Sequence, residues 1–468
     1  MVIWNKRYAR AGAIAGIAAA ALAAAGAAHA ETLEQALVQA YQNNPSLNAQ
    51  RAALRATDEG VPIALSGYRP RITGTLTGGA TGQDQGVRGT NGVRSVAPYT
   101  TYAPMSVGVT ATQTLYNGNQ TANRTRQAES QVGAARETLR LTEQTVLLNA
   151  ATAYMNLLQA TATLDLQRRN VEVLQEQLRQ TRDRFNVGEV TKTDVAQAES
   201  RVAAGRSQML AAESSVTTAR ATYRQVIGVE PGKLVAGSPV DRLSPTTLPT
   251  AVARGRAENP NVTAAALGVD VATLQVRINE GALYPSVSVS ATVQKQFEQT
   301  PAVPYTLAFV ALGTVSVPLY QGGSEYATIR QSKETLGQRR MDLDTQRDAA
   351  QQSVVQSWGQ LEAAKAQIVA TQAQVAAAET ALNGVREEAR VGQRTTLDVL
   401  NAQQELVNAR VALVNAQRDR VVASYALLAA TGRLSVSTMR LRLTPYDPTV
   451  HYQQVRDTWF GVRTPDGR

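Results

Sequence analysis

Asn186-Val187-Gly188-Glu189, followed by Thr193-Asp194-Val195, marks the point where a long helical pattern reverses its direction. Val391-Gly392 and Asp398-Val399 repeat this spacing 204 residues later. The same offset holds for three further pairs: Tyr116 and Tyr320, Gly118 and Gly322, and Gly228 and Gly432. A period this long is too large for a solenoid unit. It predicts a duplicated subunit with two long arms whose length is fixed.

The segments on either side of each reversal have the composition of long helices. Residues 119–185 contain no proline and a single glycine, and most of them are good helix formers. Apolar residues recur every seven positions at Leu157, Leu164, Val171, Leu178 and Phe185, and again at Leu361, Ile368, Val375, Leu382 and Ala389. This period predicts coiled-coil packing, and about 67 helical residues would span roughly 100 Å. We therefore expect two long helical hairpins, at about 119–228 and about 323–432.

Four short segments alternate small or polar residues with apolar ones, as strands with two different faces do. They lie at about 68–77, 106–116, 284–293 and 307–319. Thr, Ser and Gly on one face and Val, Ile and Leu on the other are typical of a lipid-exposed barrel. Four tyrosines fall at the strand ends nearest the helices, where an interfacial aromatic girdle is expected: Tyr68, Tyr116, Tyr284 and Tyr320. An ordinary soluble sheet with tyrosines at its edge is the alternative.

Four strands cannot close a membrane barrel by themselves. Such barrels have about eight strands or more, because every backbone polar group in lipid must be paired. We therefore expect identical copies of the chain to combine. Two, three or four copies would each give an even-numbered barrel, and the strand pattern does not choose between them.

Residues 1–30 have the features of a secretory signal peptide. Lys6, Arg7 and Arg10 precede an apolar run from Ala11 to Ala28, and Ala28-His29-Ala30 forms a small-residue cleavage site. An uncleaved membrane anchor is the alternative. A lipoprotein leader is excluded because the chain has no cysteine.

The charge of the chain is moderately basic, with a formal net charge of +10. Without the three basic residues of the leader, 44 Lys and Arg stand against 37 Asp and Glu. These charges are mostly spread singly, which is typical of solvated helix faces and not of a nucleic-acid surface. Beyond Ala30, no apolar run is long enough for a transmembrane helix.

The residues needed for catalysis are scarce. Beyond the leader His451 is the only histidine, and no phosphate-binding glycine loop or nucleophile elbow is present. We expect no enzymatic activity, no catalytic residues, no cofactor and no metal site.

The turn sequences and their surroundings resemble the TolC-type outer-membrane channel family. Arg184 to Gly188 with Thr193-Asp194-Val195 is similar to the first tip motif of that family, and Val391 to Leu400 is similar to the second. The resemblance covers nearly all of residues 31–435, and the tail around Tyr446-Asp447-Pro448 and Val450–Gln454 is similar to tails of some members. It implies a homotrimer with one twelve-stranded barrel and a twelve-helix periplasmic tunnel.

The predicted fold class is α+β and mainly helical, with long antiparallel helical hairpins and four strands contributed to a shared transmembrane barrel. The predicted organisation is a signal peptide at 1–30, a first repeat at 31–247, a second repeat at 248–435 and a C-terminal tail at 436–468. The internal duplication supplies both repeats.

The resemblance also implies a function and partners. The chain would be the exit duct of a tripartite export machine, joined through a periplasmic adaptor to an inner-membrane pump, either an ABC exporter or a proton-driven transporter. Type I protein secretion and drug efflux both remain open, because nothing in the chain encodes cargo. A periplasmic coiled-coil adaptor or scaffold is the rival interpretation. It would share the heptads but would not need two repeated strand pairs.

By similarity to the family, the helix ends near the reversals constrict the tunnel mouth. Asp398 from three copies would ring the pore, and Arg394 would pair with Asp194 between hairpins. Asn401 stands where members often carry a second pore acid, and Ala389 stands where an aromatic gate partner is often found. We therefore expect the contacts that hold the constriction closed to be weaker and the cation selectivity of the pore to be lower. Solvated helix-end charges of little energetic weight are the alternative.

The tips of the two hairpins are the predicted contacts for the adaptor, because they are small, exposed and at the far end of each arm. They comprise Val187, Gly188, Glu189, Val391, Gly392 and Gln393. The glycines serve the turn in either case.

Overall fold

The structure is a computed structural model that describes residues 31–84, 86–88, 90, 92, 94–96, 99–300 and 303–467. The predicted signal peptide lies outside these residues. The chain divides into two compact units. The helical unit contains residues up to Gln50, Arg140–Pro260 and Asp348–Pro445; the strand unit contains Arg51–Leu139, Asn261–Arg347 and from Tyr446 onward. Each unit draws segments from both predicted repeats.

The helices follow one another along the described chain as α1 (Leu33–Asn43), α2 (Pro45–Asp58), α3 (Gly60–Leu65), α4 (Gln120–Asn186), α5 (Lys192–Ile227), α6 (Leu248–Glu258), α7 (Pro260–Gly281), α8 (Ser324–Arg390), α9 (Thr396–Ala430) and α10 (Pro448–Val455). Helices α4 and α8 have 67 residues each. Each is followed after a short turn by a shorter return helix, α5 or α9. The predicted fold class, mainly helical with long helical hairpins and an internal duplication, is confirmed.

The core of the helical unit is built from small and aliphatic side chains. Leu427 and Val354 are fully buried in one cluster with Ala251, Leu361 and Ala423. Gly255 lies so close to this cluster that an added Cβ would meet the Val354 side chain at 2.5 Å. Close approach of this kind requires small residues in the packed helices.

The repeated Asn-Pro sequence has the same structural role in both halves. The side-chain amide of Asn44 donates to the carbonyl of Val226 at 2.9 Å, and that of Asn259 donates to the carbonyl of Ala430 at 3.1 Å. Val226 and Ala430 lie in the last turns of α5 and α9, whose carbonyls lack helical partners. The proline that follows each asparagine begins a new helix, where its missing N–H costs nothing.

The main sheet of the strand unit has four antiparallel strands in the order β1-β6-β7-β8. The strands are β1 (Arg71–Gly78), β2 (Thr81–Gln83), β3 (Gly86–Arg88), β4 (Arg94–Val96), β5 (Thr100–Tyr102), β6 (Met105–Asn117), β7 (Ser286–Thr300) and β8 (Val303–Ser316). The short strands pair separately, β2 with β5 and β3 with β4. Within the described residues, β1 and β8 are therefore the two open edges of the main sheet.

The second strand pair extends further than the sequence pattern indicates. Residues 294–306 read as a connection, but β7 and β8 stay in register as far as Phe297 and Tyr305. The Lys295 ammonium lies over both rings, 4.9 Å from the Phe297 centroid and 5.3 Å from the Tyr305 centroid. At the other end the strands stop earlier than expected. Pro285 and Pro318, which cannot donate to a ladder, lie just outside them.

Among the described residues, the helices include none with an apolar run long enough to cross a membrane.

Candidate functional site at the hairpin tips

Both helical hairpins reverse through the same backbone geometry. Gly188 has φ of 84° and Gly392 has φ of 81°, a left-handed conformation that favours glycine. The N–H of Glu189 donates to the carbonyl of Arg184, and that of Gln393 donates to Glu388, each at 2.9 Å. These bonds satisfy helix-end carbonyls as in a Schellman motif. The turn residues at the end of each hairpin are therefore exposed.

Each return helix begins with a capping box. Asp194 Oδ2 accepts from the backbone N–H of Thr191 at 2.9 Å and from its hydroxyl at 2.7 Å. Asp398 Oδ2 accepts from Thr395 in the same way, at 3.0 and 2.9 Å. In return, each threonine oxygen accepts the aspartate N–H. The two predicted gating acids thus also have a local structural role, which the Thr-x-x-Asp spacing signals and which was not predicted.

The capping contacts stabilise the ionised form of both acids. The hydroxyl of Thr191, together with its backbone N–H, holds the pKa of Asp194 below its ordinary value. The backbone N–H of Thr395 and then its hydroxyl do the same to the pKa of Asp398. Hydrogen bonds donated to a carboxylate favour the charged form. Both sites therefore keep a negative charge at neutral and mildly acidic pH.

The structure gives Arg394 a different partner from the one expected. Arg394 Nε lies 2.8 Å from Glu388 Oε2, within its own hairpin, whereas Asp194 is engaged by Thr191. Glu388, chiefly through this hydrogen bond, raises the pKa of Arg394. Within one chain Arg394 is therefore engaged across its own turn, and its pairing with Asp194 between hairpins stays a prediction.

The first hairpin carries a related pair with its charges in the opposite order. Arg184 Nε lies 2.8 Å from Glu189 Oε2, so here the cation precedes the glycine and the anion follows it. Arg184 and Glu388 are equivalent positions in the repeat. The two tips are therefore alike in backbone but opposite in the order of charge.

Asn401 is held by Arg201, which was not among the predicted site residues. Arg201 Nη2 donates to Asn401 Oδ1 at 2.7 Å, linking the return helices of the two hairpins. Leu400, beside it, is 2% exposed and packs with Leu174, Ala198 and Val202. These contacts fix α9 against the first hairpin at the level of the predicted gate. The 204-residue offset does not predict this contact, because Arg201 and Asn401 are 200 positions apart.

The predicted tip contacts are all exposed. Val187 is 73% exposed and Val391 is 71% exposed, although both are apolar. Glu189 and Gln393 are exposed beside them. A groove of about 590 Å³ lies near the tips between the outgoing helices, and its charged lining residues include Glu172, Glu176, Arg184, Arg386 and Arg390. The arrangement offers two small apolar tips next to a groove of mixed charge.

The four predicted interfacial tyrosines lie at the same end of the strands of the main sheet. Tyr68 precedes β1, Tyr116 is near the end of β6, Tyr284 precedes β7 and Tyr320 follows β8. Antiparallel pairing places these four strand ends side by side. All four side chains are at least 40% exposed.

Among the described residues, no group of three or more His, Cys, Asp or Glu side chains is arranged to hold a metal ion.

Comparison with known proteins identifies the class of the chain. A family model described as outer membrane efflux protein matches residues 36–229 and 252–433. The outer membrane efflux protein BepC of Brucella suis biovar 1 (strain 1330) is 43% identical over 445 residues, which cover 94% of each chain. The outer membrane protein TolC of Escherichia coli (strain K12) is 27% identical over 401 residues, covering 81% of this chain and 79% of that one.

Two further matches extend this result. The alkaline protease secretion protein AprF of Pseudomonas aeruginosa is 27% identical over 296 residues, covering 61% of each chain. The crystal structure of the Campylobacter jejuni CmeC outer membrane channel covers 91% of this chain and 89% of its own, with a TM-score of 0.75 and 15% identity. At that identity the structure supports the fold alone.

The chain is therefore an outer-membrane channel-type protein and not an enzyme. It belongs to the outer membrane efflux protein family. This confirms the resemblance drawn from the turn motifs. It also decides against a coiled-coil scaffold.

Proposed function

We propose that the chain is the outer-membrane exit duct of a tripartite export machine, and that three copies build one continuous channel. The observation that carries this proposal is the open main sheet. Within the described residues, β1 and β8 each have a ladder on one side only. An unpaired backbone group in hydrocarbon costs several kcal/mol. Joining β8 of one copy to β1 of the next would satisfy both edges.

The two faces of the main sheet support a barrel with a wet interior. On one face, threonine and serine hydroxyls bond across strands, as Thr77 does with Ser106 at 2.6 Å and Thr110 with Thr292 at 3.1 Å. The other face carries exposed apolar side chains, including Ile72, Leu76, Val109, Val293 and Phe309. Such a division suits lipid outside and water inside.

We propose that the hairpin tips dock on a periplasmic adaptor, which connects the duct to an inner-membrane pump. Support comes from the exposure of Val187 and Val391, since both hairpins present the same small apolar residue directly before the turn glycine. The neighbouring residues Gly188, Glu189, Gly392 and Gln393 complete the docking surface. The pump would be an ABC exporter or a proton-driven transporter.

We further propose that Asp194, Arg394, Asp398 and Asn401 form the constriction of the closed duct. The capping boxes hold the two acids at fixed places beside the turns and keep them charged. The Arg394–Glu388 pair and the Arg201–Asn401 bond then hold the second hairpin in place. In this proposal, contacts within one chain hold the constriction closed together with contacts between copies.

The docking proposal is tested by placing charge at the tips without straining the turn. In cells that depend on this duct, Val187→Asp with Val391→Asp should abolish export while the oligomer still assembles in the outer membrane. Val369→Asp is the matched control, because Val369 is 68% exposed on the shaft of α8 and lies away from the tip. Normal export by the tip variant would refute the docking proposal.

Cargo is tested by deletion of the gene. BepC is named an efflux protein and AprF a protease secretion protein, so we propose both classes of cargo as alternatives. Loss of drug resistance with an unchanged set of secreted proteins would indicate efflux. Loss of particular secreted proteins with unchanged resistance would indicate type I secretion, and no change in either would refute an export function.

A further inference from the structure

Within the strand unit, the C-terminal tail is fixed by contacts that the duct function does not use. His451 Nδ1 lies 3.0 Å from Asp58 Oδ2, and Asp58 is completely buried. Tyr452 packs on the cluster of Val61, Ala128 and Val132. Helix α10 therefore packs against α2 and α3, which precede β1, and against α4, which follows β6.

Beyond α10 the chain continues toward the start of β1. Arg69 donates from its guanidinium to the carbonyl of Thr458 at 2.6 Å. The same guanidinium lies 4.7 Å from the ring centroid of Trp459. Arg69 is two residues before β1 and directly follows Tyr68. Trp459 is therefore held near the strand ends that carry the exposed tyrosines.

The residues that follow this clamp are strongly apolar and strongly exposed. Trp459 is 65% exposed, Phe460 is 90% exposed and Val462 is fully exposed. All described residues from Arg456 onward are exposed, and these three apolar side chains form a small exposed apolar patch, a feature that can mark an interaction site. Arg463, which directly follows Val462, is exposed as well.

We propose that residues 459–463 form an interfacial membrane anchor that inserts Trp459, Phe460 and Val462 among anionic phospholipids at the helix-side boundary of the membrane. Arg69, which holds Trp459, lies between Tyr68 and β1, the first strand of the sheet that we propose this outer-membrane protein presents to lipid. Tryptophan is enriched at such boundaries because its ring is apolar and its N–H is polar. Arg463 supplies charge that complements anionic headgroups.

Fluorescence of Trp459 tests the anchor in the full mature chain. Trp358→Phe leaves Trp459 as the single tryptophan, since the third lies in the predicted leader. We expect brominated phosphatidylglycerol in lipid nanodiscs to quench most of its emission, and Phe460→Ser with Val462→Ser to remove most of that quenching. Val450→Ser, on the exposed side of α10, is the matched control and should leave the quenching unchanged.

Two results would overturn the anchor. Quenching by iodide in water and not by brominated lipid would show that the segment stays in solvent. Protection from both quenchers, lost when the oligomer dissociates, would show that a second copy covers it. The anchor is independent of the export function, so its failure would leave that proposal standing.

Discussion

Arg201 donates a hydrogen bond to the side-chain oxygen of Asn401 at 2.7 Å, and so places a positive charge next to the residue that follows Asp398 by three positions. Positions three apart lie on one face of a helix. Asn401, the second residue on this face, is therefore neutral, and Arg201 is already its hydrogen-bond partner. Both features should reduce the negative potential that Asp398 creates at the constriction.

We expect Arg201→Gln to increase the cation preference of the channel, because it removes a positive charge beside the predicted acid ring. The reversal potential of single channels under a salt gradient measures this preference. Arg206→Gln is the matched control, since Arg206 is an exposed arginine on the same helix α5 and faces a different direction. Equal reversal potentials for the two variants would contradict the assignment of Arg201.

A second expected change concerns the pair across the second tip. Arg394→Ala and Glu388→Gln should each raise the closed-state conductance, and the double variant should raise it no further, because both remove the same 2.8 Å contact. Global stability should hardly change, since exposed pairs contribute little. Arg184→Ala, which breaks the related pair of the first tip, is the control. Additive effects of Arg394→Ala and Glu388→Gln would show that Arg394 acts through another partner.

The capping boxes predict the behaviour of the tips in acid. The folded-state pKa values of Asp194 and Asp398 are lowered, so the stabilisation is fully present above the ordinary value of 3.8. It is lost only as the pH falls through the lowered values. Hydrogen exchange of the first turns of α5 and α9, corrected for intrinsic rates, should be equal at neutral pH and at about pH 5. Thr395→Val should speed exchange in α9 at both, and faster exchange of the unaltered chain near pH 5 would be inconsistent with these caps.

Packing at the gate level is tested by Leu400→Ala. Leu400 is 2% exposed among Leu174, Ala198 and Val202, and removal of a buried leucine costs about 2–5 kcal/mol. We expect faster hydrogen exchange in the neighbouring turns of α5 and α9. Leu210→Ala, at a leucine 59% exposed on α5, should have little effect. A similar response from the two variants would argue against this contact.

Much of the architecture is predictable from the sequence because it depends on local and periodic signals. The heptads and the absence of proline determine α4 and α8, and the repeated Gly188 and Gly392 determine the reversals. The ends of β7 and β8 were less predictable. Cross-strand contacts such as Lys295 on Tyr305 extend them where the alternation of residue types has already faded.

The side-chain partners at the tips were the least predictable feature. Several acids compete for Arg394, and only the three-dimensional turn shows that Glu388 lies closest. The contact of Arg201 with Asn401 joins residues 200 positions apart, and no motif connects them. The exposure of Phe460 likewise depends on where the tail is seated, which composition does not reveal.

The central claim is that identical copies complete one wall by joining β1 to β8. The natural absence of cysteine makes disulfide mapping a direct test. Thr73 lies on β1 and pairs through Thr110 and Thr292 to the same face of β8. Thr73→Cys would be combined in turn with a cysteine at each of three β8 positions on that face: Val310, Leu312 and Thr314.

Oxidation of these chains in outer membranes, followed by denaturing electrophoresis, measures the number of joined copies. We predict that at least one of the three combinations gives a ladder that ends at three chains. Thr110→Cys with Thr292→Cys, on neighbouring strands within one chain, should give only a cross-linked monomer. If none of the three combinations joins separate chains while the control cross-links, the shared wall is contradicted.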